Sequence, residues 1–275
     1  MRGVVPLTGV VVLLAAAVLT AQIRRRAPRE PNGNRQLRYA TLDDFDGSFQ
    51  FCRVVFRRAS NGDGGNWSVD FPRADQNLSV RLSELTKTPV GFSPDGEPRH
   101  LLVNLTDPAL YHCPFIMMTE VGSLYLDQRE AAGLRDYLLK GGFLWADDFW
   151  GNYAWDFFEN QMRQVLPSKR YPIVDLPLDH PVFHSLMAVN RVPQIPSINF
   201  WLGSGGGTSE RGPDSATPHA RAILDDHGRI MVFITHNTDL GDSFEREGDS
   251  YEYFLRFSVE GYAVGVNVLL YSMTH

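Results

Sequence analysis

The sequence lacks the short motifs by which the common enzyme classes are recognised. No Gly-x-Ser-x-Gly or Gly-x-Cys-x-Gly nucleophile elbow occurs, which excludes a hydrolase built on such a turn. Ser204 lies among glycines with the wrong spacing, and Cys113 precedes a predicted strand, whereas a nucleophile would follow one. P-loop, His-Glu-x-x-His and EF-hand patterns are absent as well, so three further classes of phosphate or metal site are excluded.

Cysteine is scarce. The chain has two, Cys52 and Cys113, and neither lies in a metal-binding spacing. If the protein is exported, the two could form a disulfide. Isolated cysteines are more commonly buried as free thiols, and this is the interpretation that the sequence favours.

Positive charge is also in short supply. There are 26 Lys and Arg residues against 32 Asp and Glu residues, which gives a formal net charge of -6. The dense basic run at 24–26 precedes the predicted folded domain. An acidic protein has no general attraction for nucleic acid phosphates, so nucleic acid is not an expected partner.

The longest uncharged apolar run lies at the amino terminus, where residues 3–23 follow Arg2. This pattern is typical of a secretory signal peptide, and the run is also long enough to remain as a membrane anchor. Residues 24–48 are predicted to be a linker and residues 49–275 a single domain. We expect export to the periplasm or cell envelope, with membrane contact through residues 3–23 if they are retained. If the anchor is not cleaved, the arginines at 24–26 favour an orientation in which the residues after them stay in the cytoplasm.

From residue 49 onward, apolar runs alternate with stretches of helical periodicity. Six runs predict strands: 49–56, 101–104, 114–119, 143–146, 221–224 and 230–235. The last two flank Asp225-Asp-His-Gly228, which predicts a hairpin. This alternation with short connections predicts an α/β domain with a mostly parallel sheet and helices on both faces.

Helix ends are marked by a few residues. Asp75 is predicted to cap the helix that contains Leu78 and Leu82, and Asp127 begins the next helix with a capping-box pattern. That helix should end at Gly141-Gly142, because glycine adopts the left-handed conformation without a Cβ clash. The buried strand predicted at 143–146 follows directly.

Polar residues follow three of the predicted strands, at the edge where open α/β sheets bind ligands. The candidate ligand-binding residues are Glu120, Asp147, Asp148, His236, Asn237, Asp239 and Asp242. Carboxylates with an imidazole can bind a divalent metal or act as acid and base. An aspartate at a strand end can equally cap the next turn, and His236 could simply bond to backbone. No spacing is diagnostic of a metal site, so no metal ligand, cofactor or catalytic residue is assigned.

The chain also resembles a bacterial family defined by a domain of unknown function (DUF4159). The segments that match are Gly64–Trp67, Pro114–Glu120, Gly141–Gly151, Asp225–Val232, His236–Asp242 and Tyr271–His275. The resemblance implies a three-layer, flavodoxin-like fold of the class I glutamine amidotransferase-like superfamily, and an envelope location. It supplies no activity, because the cysteine nucleophile of true amidotransferases is missing here.

Two hypotheses about function remain open. In the first, the protein is an exported, non-catalytic module of the cell envelope that binds a small-molecule ligand or a partner protein. In the second, it is a metal-assisted hydrolase that uses Asp147, Asp148 and His236. The relative positions of these three side chains discriminate between the two hypotheses.

Overall fold

A computed structural model describes residues 37–94 and 96–275. The predicted leader and residues 24–36 of the predicted linker lie outside the described residues. Residues 37–48 are described, and Tyr39 forms a parallel bridge with Leu102. No helix within 37–94 and 96–275 is long and apolar enough to cross a membrane.

The described residues form nine strands and seven α-helices. The strands are β1 (Phe51–Val54), β2 (Arg57–Arg58), β3 (His100–Val103), β4 (Ile116–Thr119), β5 (Leu124–Tyr125), β6 (Leu144–Asp147), β7 (Ile173–Asp175), β8 (His219–Leu224) and β9 (Ile230–His236). The helices are α1 (Arg73–Leu85), α2 (Gln128–Leu139), α3 (Gly151–Val165), α4 (Ile198–Gly203), α5 (Leu240–Glu245), α6 (Tyr251–Tyr253) and α7 (Val259–Thr274).

Seven strands form the central sheet in the order β3-β1-β4-β6-β9-β8-β7. The first five are parallel to one another, and the predicted hairpin is the antiparallel pair β8 and β9. Strand β7 adds an antiparallel edge, and β2 and β5 form a separate small ribbon. The predicted α/β class with a mostly parallel sheet is confirmed.

Both faces of the sheet are covered by helices, because successive side chains of each strand point to opposite sides. Trp145 of β6 belongs to a core cluster with Leu78 of α1 and Phe244 of α5. Leu144 of β6 belongs to a second cluster with Leu134 of α2. The continuous apolar pattern of the strands therefore reflects burial on both faces.

The stretch around the double glycine is confirmed. Asp127 accepts hydrogen bonds from the amides of Arg129 and Glu130 at 2.8 and 2.9 Å, and the Glu130 carboxylate completes the capping box. Helix α2 ends before Gly141, which has a φ of +103°. Gly142 has a different role: a Cβ there would lie 2.4 Å from the Tyr137 ring, so only glycine fits.

The predicted cap at Asp75 was wrong. Asp75 lies inside the first turn of α1, and its buried carboxylate accepts a hydrogen bond from Arg53 Nε at 3.3 Å. Arg53 is itself fully buried in β1. The helix register places Asp75 on the inner face of α1, where it neutralises a buried guanidinium.

The interpretation of Cys52 and Cys113 as free thiols was also wrong, because they form a disulfide with a Cα–Cα distance of 6.1 Å. Strands β1 and β4 are neighbours, and Cys52 is in register with Ile116. The chain therefore passes beside Cys52 just before β4 begins. The sequence separation of 61 residues concealed this proximity.

Candidate functional site

Acidic side chains gather at the carboxyl edge of the sheet, in the loops that follow β1, β4, β6 and β9. Asp70 precedes α1, and Asp148 follows β6. Asp239 and Asp242 begin α5 after β9. Because these four strands are parallel neighbours, their carboxyl ends meet at one edge.

Five carboxylates at this edge form two groups that share one member. In the first carboxylate triad, Asp70, Asp148 and Asp239, one oxygen of each residue lies within 4.8 Å of the others. The second carboxylate triad, Asp70, Asp242 and Glu245, satisfies the same criterion and shares Asp70. All three members of the first triad are buried, with 8%, 5% and 4% of their surfaces exposed.

Two members of the first triad, Asp239 and Asp148, accept hydrogen bonds, whereas one oxygen of Asp70 has no partner among the described residues. Asp239 Oδ1 accepts from the amide of Asp242 at 2.7 Å, and Asp148 Oδ1 accepts from Trp150 Nε1 at 3.1 Å. Oδ2 of Asp70 is buried and has no hydrogen-bond partner among the described residues. A Cβ on Gly241 would lie 2.3 Å from this oxygen, so glycine leaves the space that the carboxylate faces.

Thr119 Oγ1 and Arg53 Nη1 are also buried and lack hydrogen-bond partners among the described residues. Thr119, Arg53 and Asp147 each lie two residues beyond a member of the core cluster that contains Trp145, so their side chains share that face. Buried polar atoms without partners are rare and call for a water or an ion.

Like charges oppose each other throughout this cluster. Burial, followed by the charge of Asp242, raises the pKa of Asp70 well above its usual range. Burial and the charge of Glu120 likewise raise the pKa of Asp148. Burial and the charge of Asp148 raise the pKa of Asp239. The buried guanidinium of Arg53 opposes the shift at Asp70, but it is already paired with Asp75. The three carboxyl groups of the first triad therefore ionise less readily than free ones, and no salt bridge among the described residues compensates their charge.

The backbone at this edge is unusual. Within the described part of the chain, four residues other than glycine have a positive φ: Asp70, Glu120, Asp148 and Asn237, with values between 55° and 62°. One lies in each loop that follows β1, β4, β6 and β9. Such backbone is costly and tends to occur at functional sites.

Glu120 lies beside the first triad, where its charge acts on Asp148. Its carboxylate accepts a hydrogen bond from the amide of Gly65, and a Cβ on Gly64 would lie 2.0 Å from its Oε2. Burial raises the pKa of Glu120 to about 7. The glycine-rich loop after β1 therefore forms the wall against which this carboxylate packs.

Asp147 makes hydrogen bonds that join two elements of the fold. It accepts hydrogen bonds from Thr235 Oγ1 at 2.5 Å and from the amides of Leu240 and Gly241 at 3.0 and 3.1 Å. Burial raises its pKa to about 7. Asp147 thus joins the end of β6 to the start of α5, and it belongs to neither triad.

His236 points away from the carboxylates. It follows Thr235 in β9 and therefore faces the opposite side of the sheet. Its Nε2 lies 3.1 Å from the carbonyl oxygen of Gly151, its Nδ1 lies 3.3 Å from Arg221, and its ring packs 4.7 Å from that of Phe149. Burial lowers the pKa of His236 to about 4, so the imidazole is neutral.

Asn237 supports the same region. Its Oδ1 accepts from the amide of Gly151 at 2.8 Å, and its Nδ2 donates to the carbonyl of Thr217 at 2.8 Å. Asn237 and His236 therefore both hold the start of α3 against the loop after β9. The structure brings Asp148, Asp239 and Asp242 together, places Glu120 beside them, and assigns Asp147, His236 and Asn237 to structural contacts.

Sequence reasoning missed two members of the triads, Asp70 and Glu245. Asp70 is separated from the end of β1 by a turn and by β2, so it does not directly follow a predicted strand. Its position just before the predicted helix α1 was the available signal. Glu245 lies three residues after Asp242, a spacing that places both on one face of a helix.

Comparison with known proteins identifies a family but no function. The family model described as Domain of unknown function (DUF4159) matches residues 51–273, which is most of the chain. A comparison with curated protein sequences finds no match. The chain therefore belongs to the DUF4159 family.

Proposed function

We propose that this protein is an exported ligand-binding domain whose ligand is a hard divalent cation, held by Asp70, Asp148 and Asp239. One observation carries the proposal: Asp70 Oδ2 is buried without a hydrogen-bond partner among the described residues, beside two other buried carboxylates. Carboxylate oxygens are the ligands that Ca²⁺, Mg²⁺ and Mn²⁺ prefer. A cation here would offset the mutual repulsion of the three side chains.

The topology supports a ligand site at this edge. The parallel strands β3-β1-β4-β6-β9 follow the order 2-1-3-4-5 of flavodoxin-like folds, and we include that fold and the glutamine amidotransferase-like superfamily in the proposal. In this order ligands bind where the strand sequence reverses, between β1 and β4. Asp70 and Glu120 lie in the loops after these two strands. Amidotransferase activity is not part of the proposal, because the only two cysteines form a disulfide.

Export is proposed on two grounds, the apolar leader at residues 3–23 and a disulfide that is compatible with an oxidising compartment. A phosphatase reporter fused after Met273 tests it. We expect activity outside the cytoplasm, and a reporter active only in the cytoplasm would contradict export.

The hydrolase hypothesis gains little support from the geometry. Of its three residues only Asp148 belongs to a triad, whereas Asp147 binds the start of α5 and His236 faces the other side of the sheet. An imidazole in that position does not reach the carboxylates. Cation binding is therefore the function that the arrangement supports best.

Thermal unfolding of the full chain, measured in chelator and then with Ca²⁺ or Mn²⁺, tests the proposal. A cation at a hundred times its Kd adds about 2.7 kcal/mol of stability, which corresponds to roughly 5–10 °C in Tm for a domain of this size. Asp70→Asn should abolish this shift. It should also raise Tm in chelator, because it removes one of the mutually repelling charges.

Asp44→Asn is the matched control. Asp44 is also buried, but it accepts hydrogen bonds from Thr41 N at 2.8 Å and Thr41 Oγ1 at 2.9 Å and lies in neither triad. This variant should lower Tm in chelator and keep the cation shift. If Asp70→Asn keeps the full shift, or if the wild type shows none, the proposal is wrong.

A further inference from the structure

The second carboxylate triad has the geometry of another cation site. Asp242 and Glu245 lie on one face of α5, and their oxygens are within 4.8 Å of each other and of Asp70. Oδ2 of Asp242 is fixed independently, because it accepts hydrogen bonds from the amide of Ile198 at 2.6 Å and from Tyr253 Oη at 3.3 Å. Asp242 is therefore held at the edge of the cluster whether or not a cation is bound.

A guanidinium provides positive charge at this triad. Arg246 Nε lies 3.3 Å from Asp242 Oδ1 and 2.7 Å from Glu245 Oε2. Its Nη1 lies 3.5 Å from Asp249, and 26% of the side chain is exposed. Arg246 is therefore a partly exposed side chain that borders the second triad at the carboxyl end of α5.

Asp70 connects the two triads. Its carboxylate is the common member, and its Oδ2 has no hydrogen bond to hold it within the described residues. A carboxylate that bridges two divalent cations is the usual core of two-metal sites, in which the ions lie roughly 3.5–4 Å apart. The two triads together contain five carboxylates, four of them buried, and their full charge exceeds that of a single divalent cation.

We propose that a second divalent cation binds Asp70, Asp242 and Glu245, forms a two-cation centre with the first through Asp70, and displaces Arg246 toward solvent. This inference rests on the proposed function of the first triad. It gives Arg246 the role of an internal competitor that occupies the second site until the cation concentration rises.

Mn²⁺ provides the test, because both the number of bound ions and their separation can be measured on the full chain. Titration calorimetry should give two ions per chain. Electron paramagnetic resonance should show the spin coupling of a close Mn²⁺ pair. Glu245→Gln should leave one uncoupled ion whose affinity changes less than tenfold. Arg246→Gln should tighten the second binding step at least tenfold, an effect that loss of a merely structural ion pair would not produce.

Glu247→Gln is the control, because Glu247 lies close by and pairs with Arg81 and Tyr262 outside both triads. It should retain two coupled ions. One ion in the wild type, unaffected by Glu245→Gln, would overturn the two-cation inference while the proposed function stands. Absence of any bound ion would overturn the proposed function itself, so the two failures are distinguishable.

Discussion

His236 should make the stability of the fold depend on pH. His236 is 3% exposed, and its ring centroid lies 4.7 Å from that of Phe149 and 5.2 Å from that of Trp155, beside the guanidinium of Arg221. These surroundings disfavour the imidazolium ion, so the pKa of His236 falls from 6.5 to about 4 in the folded protein. We expect His236→Gln to remove this dependence.

The direction of this pH dependence follows from proton uptake by the unfolded chain. Between pH 6.5 and 4 the unfolded chain binds a proton at His236 and the folded chain does not, so stability is lost as the pH falls through this window. The free energy of unfolding should therefore drop by about 2 kcal/mol from pH 7.5 to pH 5. The full loss, reached well below pH 4, is about 3 kcal/mol.

Urea unfolding of the wild type and of His236→Gln, at pH 7.5 and pH 5, isolates this contribution, because the other titrating groups are common to both proteins. The wild type should lose about 2 kcal/mol more than the variant. His227→Gln, an exposed change in the β8–β9 turn, should behave like the wild type. Equal losses in the wild type and in His236→Gln would refute the assignment of a buried neutral imidazole.

Two further predictions concern stability. Replacing Cys52 and Cys113 by alanine should lower the free energy of unfolding by about 4 kcal/mol, because the disulfide closes a long loop. A urea midpoint equal to that of the oxidised wild type would contradict this. Gly141→Ala should cost about 1–2 kcal/mol in thermal unfolding, since its φ is +103°. Gly203→Ala is the control, because a Cβ there also meets nothing within 4 Å and φ is not positive. It should lower the free energy of unfolding much less. Equal losses of stability in the two variants would show that backbone strain is not the cause.

Local signals were sufficient for much of the fold. The capping box at Asp127 and the positive φ at Gly141 depend on neighbouring residues alone, so they can be predicted from a short stretch of sequence. The apolar run of β6 also predicts burial on both faces, which the two core clusters confirm.

Long-range neighbours were not predictable in the same way. The disulfide depends on β1 lying next to β4, a strand order that composition and periodicity do not encode. The pairing of Asp75 with Arg53 likewise depends on which face of α1 meets the sheet. Capping propensity correctly predicted that Asp75 lies near a helix start, and tertiary packing then determined what its carboxylate binds.

The candidate site was partly predictable. Asp148, Asp239 and Asp242 directly follow or closely follow strands whose apolar runs place their ends at one edge. His236 also ends a strand, but strand alternation turns it to the opposite face from Thr235. Asp70 is brought to the same edge only by the loop after β1, and its position required the folded structure.

Anomalous diffraction from crystals soaked in Mn²⁺ tests the central claim most directly, because it locates the ion. We predict a peak about 2–2.5 Å from carboxylate oxygens of Asp70, Asp148 and Asp239, and no such peak in crystals of Asp70→Asn. A wild-type crystal with no peak at these carboxylates, or with the ion bound elsewhere, would contradict cation binding at this edge of the sheet.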